Sequence, residues 1–411
     1  MRHLPLAIAT IGIILTGCNA GPPGDDAPAV RVSHVDGVTV VEHSPAALAS
    51  VPQWRVGESL QSLGGLDADE DHDATAMRSA WLLDDGFIAL NGRESRFRRF
   101  DSTGNLVAAF GRNGEGPDEF RALSVVRLPG DSLLIFDYVA STYRRLGPGL
   151  ASVPGIVFRD QPSFDVGPFA VLPGGAVLGV ATARDTSSAM DGPNFRQPTT
   201  LLRHDSGGSR WDSVFSYPGP LMYPVRGNEG GQDFPAHRFV TFGPSPLIRW
   251  WEEGIALATN DDWEIVVRDP HGTDVMRIRP TWPRRTVTSA MREGEIASDV
   301  AQLDQWQAPA AAKAPLLEVA RSQRFTDSLA PYDRMLVGRD GRLWLRENVT
   351  AIDSSGTTWL AFGRDGSLVR RLLVPQGMLP LDVDQDRILI RRTDENDVGI
   401  IEIRRLKGDR P

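Results

Sequence analysis

The chain has 411 residues, room for two or three ordinary domains or for one large repeat fold. Charged residues are 24% and the AVILMFWYC set 41%, a balance that supports a sizeable soluble core. Acidic residues outnumber basic ones 53 to 44, and the net charge of −9 argues against nucleic acid as a partner. A single cysteine excludes a disulfide framework and a thiolate metal cluster.

The first segment reads as an address. Arg2 supplies a positive charge, and Leu4 to Leu15 is almost wholly apolar. That length suits a signal-peptide core and is too short to span a bilayer. The run ends Leu15-Thr16-Gly17-Cys18, which resembles the bacterial lipoprotein box. The resemblance implies cleavage before Cys18 and a lipid on its thiol, so residues 1–17 are the expected signal peptide. Residues 18–36 are expected to be a flexible tether, being polar and rich in Gly and Pro from Asn19 to Pro28. Asn19 is not the Asp that retains some lipoproteins at the inner membrane. The expected location is therefore the bacterial cell envelope, at the periplasmic face of the outer membrane, with the lipid as the membrane contact.

A period of about 44 residues organises 37–408. An apolar run, a tight turn and a second apolar run recur, with turns at Gly86, Gly130, Gly174, Gly254, Gly341 and Asp386. A second turn follows at Gly104 and at Gly272, so each unit holds two hairpins and four strands. Four antiparallel strands per repeat of this length mark a β-propeller blade. The spacing thus predicts an all-β fold, a six-bladed β-propeller of four-stranded antiparallel blades. The last unit lacks a fourth strand. The isolated β-branched run Val38–Glu42 is expected to supply it beside Val398–Ile403, because an open edge invites aggregation.

Two steps of the repeat carry surplus chain. Residues 184–199 and 217–246, rich in Gly, Pro and aromatic residues, are expected as loops over one face. Residues from about 286 to 329 have helical periodicity instead. Thr288 or Ser289 can cap a helix through Met291, Ile296, Val300 and Leu303, and a second helix can cover Ala310 to Ala320. This predicts a helical insertion between blades four and five, dispensable for the ring and available for binding.

The junction Phe110-Gly111-Arg112-Asn113-Gly114-Glu115-Gly116-Pro117-Asp118-Glu119-Phe120 follows a Phe-Asp-x-x-Gly turn at Phe100–Gly104. Together they resemble the FGRxGEGPxEF inter-blade motif of bacterial six-bladed propellers related to NHL-repeat proteins. The full motif occurs once, with a degenerate echo at Phe362–Gly366. The resemblance implies a propeller fold and a lipoprotein setting. It transfers no ligand site, since the junctions of blades two to four depart from the pattern.

The chemistry-bearing patterns are sparse. Gly111-x-x-Gly114-x-Gly116 lacks the lysine of a phosphate loop, and it reads as a turn that Arg112 braces with Glu115 and Glu119. The acidic stretch from Asp67 to Asp73 lacks the alternation of a calcium loop and reads as a solvated linker. There is no HExxH and no Gly-x-Ser-x-Gly. No catalytic residue, metal ligand or cofactor is predicted. Trp211, Trp282 and Trp306, in or beside the insertions, are the candidate interaction surface. The first strands of the units bring Arg78, Ser124, Arg249, Arg334 and Asp382, a mixed set without a carboxylate ring. The expected function is a lipid-anchored binding or scaffold module for an envelope protein, a peptide or a glycan. The alternative is a channel enzyme of the Ca-dependent lactonase or esterase-like propeller type. That chemistry requires three or more carboxylate or amide oxygens converging in the channel.

Overall fold

Apolar runs separated by tight turns fold here into small antiparallel sheets, each a meander in chain order. The computed structural model describes residues 29–116, 118–128, 130–140, 142–153, 166–172, 175–182, 192–205, 211–229 and 232–408. The expected signal peptide, Cys18 and the first part of the tether lie outside the described residues.

Met77–Leu83, Gly86–Asn91, Arg96–Asp101 and Leu106–Phe110 form one sheet. Leu123–Leu128, Ser132–Asp137, Thr142–Leu146 and Ser152–Val153 form the next. Then come Val166–Val171, Val177–Thr182, Phe195–His204 and Trp211–Glu229, with Gln232–Phe239 added outside. Leu247–Trp251, Gly254–Ala258, Ile265–Arg268 and Asp274–Pro280 follow. Tyr332–Val337, Leu343–Glu347, Thr357–Phe362 and Leu368–Val374 repeat the order. Leu379–Val383, Arg387–Thr393 and Gly399–Gly408 end the chain.

The core lies between sheets rather than inside any one of them. The second strands Gly86–Asn91, Ser132–Asp137 and Gly254–Ala258 are buried at every position, so both of their faces need a neighbour. Leu345, Leu360 and Phe362 pack on Trp251, Ile265 and Ile278 of the preceding sheet. Trp344, Trp359 and Leu372 pack on Ile388 and Ile390 of the following one. The final sheet meets the first through Leu389, Ile401 and Ile403 against Leu82, Phe87 and Phe100. Each such side chain contributes roughly 1.5–3 kcal/mol of burial.

The N-terminal segment departs from expectation. Val38–His43 does not complete the last sheet; it pairs in parallel with Asp274–Pro280, half the molecule away in sequence. Nor is the whole of 18–36 a tether, because Val30–Val35 pairs with Val38–His43. The turn between them is Asp36-Gly37, with φ of 51° and 83°, the left-handed pair that a two-residue hairpin turn requires. A short helix, α1 (Pro45–Ser50), leads on to Gln53–Gly64. That strand is the one that pairs antiparallel with Gly399–Gly408, while its first residues run parallel to Leu368–Val374. Gln53–Gly64 alternates polar and apolar residues because it is outermost, with one face in water, whereas Val38–Glu42 is apolar because Val40 and Val41 are buried.

The surplus segments also take definite form. Much of 217–246 is strand, Trp211–Glu229 turning back on Gln232–Phe239, where loops were expected. Between Asp274–Pro280 and Tyr332–Val337 lie two helices, α2 (Ser289–Gln305) and α3 (Ala310–Arg321). Thr288 caps α2, its side chain accepting from the Met291 N–H at 3.3 Å.

If Gln53–Gly64 holds the last sheet to the first, truncating Leu63, which is 4% exposed beside Ile401 and Ile403, is costly. Leu63→Ala should lower the unfolding free energy by about 2–5 kcal/mol in urea titrations. Val32→Ala, at a position 60% exposed on the hairpin edge, should change it by no more than about 0.5 kcal/mol. Equal costs at the two positions would contradict this assignment of the closing strand.

Candidate functional site

The first strands of the sheets face a common cavity of about 1470 Å³. Its wall is built by Met77–Leu83, Leu123–Leu128, Val166–Val171, Leu247–Trp251, Tyr332–Val337 and Leu379–Val383. From Leu123–Leu128 round to Leu379–Val383 successive first strands touch, Leu379–Val383 returns to Met77–Leu83, and Trp81 shares an apolar cluster with Leu123 and Val125. The cavity is therefore a channel along the axis of a β-propeller.

The two ends of this channel differ in charge. Hairpin turns crowd one end, and there every arginine has a carboxylate. Arg127 binds Asp382 at 2.6 Å and Asp131 at 2.5 Å, and donates to the Leu82 carbonyl at 2.8 Å. Arg339 reaches Asp84 at 2.7 Å, Asp131 at 3.2 Å and Asp384 at 3.3 Å. Arg387 meets Asp384 at 3.0 Å. Four sheets, two from each end of the repeat, are thus laced across the channel by charge-assisted hydrogen bonds. Burial works against the charge of Asp131, but hydrogen bonds from Arg339 and Arg127 outweigh it and hold its pKa below the ordinary value. Asp382 is more enclosed. Burial pushes its pKa up to about 6, although Arg127 and the Leu82 and Val383 N–H groups favour the carboxylate.

Farther from the turns the wall carries Arg249, then Arg334, Ser124 and Arg78 toward the opposite end, the mouth, with Asp333 among them. The structure thus brings together all five residues read from the first strands, but it sets Asp382 apart at the turn end. Arg249 donates to the neighbouring Ile248 carbonyl at 2.7 Å. Among the described residues, no carboxylate lies within ion-pair distance of Arg78, Arg249 or Arg334. Asp333, adjacent to Arg334 in sequence, is taken by a bidentate pair with Arg346. Arg249 is open to the lumen yet ringed by protein, and burial pushes its pKa down. Arg334 is likewise pushed down, by burial and then by the charge of Arg346.

Leu247 and Asp333 also line a second, smaller cavity of about 310 Å³, to which Glu295 of α2 contributes. The first turns of α2 therefore stand near the channel wall. Glu295 accepts from the Ala351 N–H at 3.2 Å, and Arg285 grips Asp353 with two bonds near 3 Å.

The three tryptophans separate. Trp282 is core, 6% exposed, packed edge-on to Trp263 at 5.2 Å and donating to the Ser44 carbonyl. Burial removes it from any interaction surface. Trp211 is half-buried against His204, whereas Trp306 at the end of α2 is 49% exposed. In the Phe110–Phe120 junction, Arg112 pairs with Glu119 at 2.5 Å, but Glu115 pairs with Arg121 instead. The Gly116 N–H donates to Glu119 Oε2 at 2.8 Å, so the motif is a self-braced turn. In the acidic stretch, Asp69 holds His72 at 2.6 Å and Asp71 lies 3.8 Å from the fully buried Arg98. Among the described residues, no group of three or more His, Cys, Asp or Glu side chains is arranged to hold a metal ion. No described helix is long and apolar enough to cross a membrane.

No family model matches the chain, and no curated protein matches it in sequence. Solved structures do resemble it. A member of the DUF4221 family from Bacteroides vulgatus superposes with a TM-score of 0.51 at 8% identity, covering 87% of this chain and 99% of that one. An exported protein from Bacteroides fragilis gives 0.46 at 13% identity, over 87% and 99% of the two chains. A gluconolactonase from Xanthomonas campestris gives 0.39 at 13% identity, over 94% and 100%. At such identities the likeness is one of fold alone.

The enclosed carboxyl makes the turn end sensitive to pH. A folded-state pKa near 6, above the ordinary carboxylate value, means that folding takes up a proton on Asp382. Its contribution to stability is then greatest below about pH 4 and is lost as the pH rises through about 6. The stability difference between the wild-type chain and Asp382→Asn should accordingly narrow between pH 4 and pH 7 in denaturant titrations. A difference that stays constant or widens would contradict the assignment.

Proposed function

We propose that the chain is a six-bladed β-propeller of four-stranded blades, lipid-anchored through Cys18 in the cell envelope, that binds its ligand at the channel mouth without transforming it. The N-terminal strand Gln53–Gly64 completes the sixth blade, and α2 and α3 form an insertion between blades four and five. One observation supports the binding reading: the channel is laced by ion pairs at the turn end, whereas Arg78, Arg249 and Arg334 farther along it make no ion pair among the described residues. Each acid near the axis at the turn end already has an arginine, which argues against the oxygen cage that a calcium-dependent lactonase needs. The exposed ring of Trp306, at the far end of α2, is the remaining aromatic contact for a protein, peptide or glycan.

Location and binding are separately testable. Cys18→Ser should move the protein from the membrane pellet to the soluble fraction, and a variant that stays membrane-bound would overturn the anchor. The location at the periplasmic face of the outer membrane rests on the Leu15-Thr16-Gly17-Cys18 box and on Asn19 after it. For binding, thermal-shift screens of peptides, glycans and small metabolites should give ligands that raise the melting temperature. Ser124→Trp, which places a large ring in the channel wall, should abolish those shifts. Calcium-dependent turnover of lactones would instead establish the enzyme, and shifts indifferent to Ser124→Trp would move the site off the channel.

A further inference from the structure

Three arginines of the channel wall, Arg78, Arg249 and Arg334, form no ion pair among the described residues. Acids exceed bases in the chain, and arginines near the channel elsewhere are paired: Arg127, Arg339 and Arg387 with aspartates, Arg342 with Asp340, Arg346 with Asp333, and Arg364 with Glu252. Chance alone does not readily leave arginines of three first strands, two of them adjacent, without an ion-pair partner in so acidic a molecule. A guanidinium in a protein-lined channel loses part of its hydration, and without an ion-pair partner the fold restores little of it, the charge of Asp333 beside Arg334 only partly offsetting the loss.

Strand register shows what surrounds them. Counted back from the pair that closes each hairpin turn, Arg249 stands two positions before Trp251↔Gly254. Trp81 stands two before Leu83↔Gly86, and Phe169 two before Val171↔Val177. Arg334 is three before Val337↔Leu343, one step nearer the mouth on the strand that touches Arg249's own. Arg78 lies nearer the mouth still, at an irregularity between Met77 and Ser79. Arg249 thus shares its level of the channel with two aromatic side chains of other sheets, and Arg334 stands one step away on the adjacent strand, all four lining the same cavity.

We infer that Arg249 and Arg334, with Arg78 at the rim, bind the carboxylate or phosphate of a small organic anion whose apolar body lies against Trp81 and Phe169. This inference rests on the channel-binding reading above and supplies the chemical class of the ligand. Planar guanidinium forks accept either oxyanion through paired hydrogen bonds. The aromatic rings add the apolar contact that selects organic anions over inorganic ones. Burial, which depresses the pKa of both Arg249 and Arg334, is relieved once an anion sits between them. The same arginines should therefore weaken the empty protein and strengthen the loaded one, a balance common at binding sites.

The test uses the purified full chain and three probes: phenyl phosphate, 4-phenylbutyrate and neutral 4-phenylbutan-1-ol. In calorimetric titrations at low salt, at least one of the two anions should bind at least tenfold more tightly than the alcohol. The tighter anion identifies phosphate or carboxylate as the preferred head group. Arg249→Gln and Arg334→Gln should each weaken that anion tenfold or more, while Arg279→Gln, on the surface beside Glu264, should leave it unchanged. Without ligand, Arg249→Gln and Arg334→Gln should melt at or above the wild-type temperature, whereas Arg127→Gln, a paired arginine, should melt lower. Equal binding of alcohol and anions, binding by neither anion, or melting losses as large as that of Arg127→Gln would overturn the inference. Binding abolished by Ser124→Trp yet indifferent to both arginine substitutions would overturn it too, leaving the channel reading intact.

Discussion

The sheets depend on one another because their second strands carry apolar side chains on both faces, and only a neighbour on each side can keep these from water. Leu82, Phe87 and Phe100 on the first sheet need Leu389, Ile401 and Ile403 on the last as much as any consecutive pair needs each other. A linear stack would leave two raw faces at its ends, each several apolar side chains wide. Joining the ends removes both, and the burial at the seam is of the same kind as at every other interface. The strand Gln53–Gly64 then covers the outer edge of Gly399–Gly408, which would otherwise offer an unpaired ladder to other chains.

Closing the ring has a second consequence, at its centre. Six first strands turn one edge toward a lumen that no further strand can fill, so polar and charged residues collect there. At the turn end their charges alternate, and arginines from one sheet reach carboxylates of others: Arg127 to Asp382, Arg339 to Asp131 and Asp84. These contacts lock sheets together across the axis where backbone pairing cannot. Toward the mouth, Arg78, Arg249 and Arg334 make no ion pair within the described residues, although Asp333 stands beside Arg334, and the proposed organic anion would be their partner from solution. The segment that carries α2 is tied to the fifth sheet through Arg285–Asp353 and the Glu295 contact with Ala351.

Much of the architecture is legible in the sequence because tight turns are chemically explicit. Asp85-Gly86, Glu253-Gly254 and Asp340-Gly341 each sit between runs that only buried strands use, and Thr288 marks the start of α2. The closing strand is hidden for a physical reason. An outermost strand needs only half its side chains apolar, so Gln53–Gly64 looks like linker, and the more apolar Val38–His43 draws attention in its place. Asp36-Gly37 is itself a hairpin signal, and reading it would have paired Val38–His43 with Val30–Val35 rather than with the last sheet. The site is half legible. Arg78, Arg249 and Arg334 can be assigned to first strands from the period alone. Their lack of counter-charges cannot, because Asp333 beside Arg334 is claimed by Arg346 across the ladder, and sequence proximity gives the opposite impression. Trp282 shows the converse: chain position put it beside an insertion, but packing against Trp263 and Tyr332 makes it core.

The most direct measurement is crystallographic. Crystals soaked in selenate, an oxyanion visible by the anomalous scattering of its selenium, would report where the protein itself prefers negative charge. The account predicts the strongest anomalous peak inside the channel mouth, between the guanidinium groups of Arg249 and Arg334. Peaks confined to the outer surface, with the mouth unoccupied while selenate binds elsewhere, would contradict it.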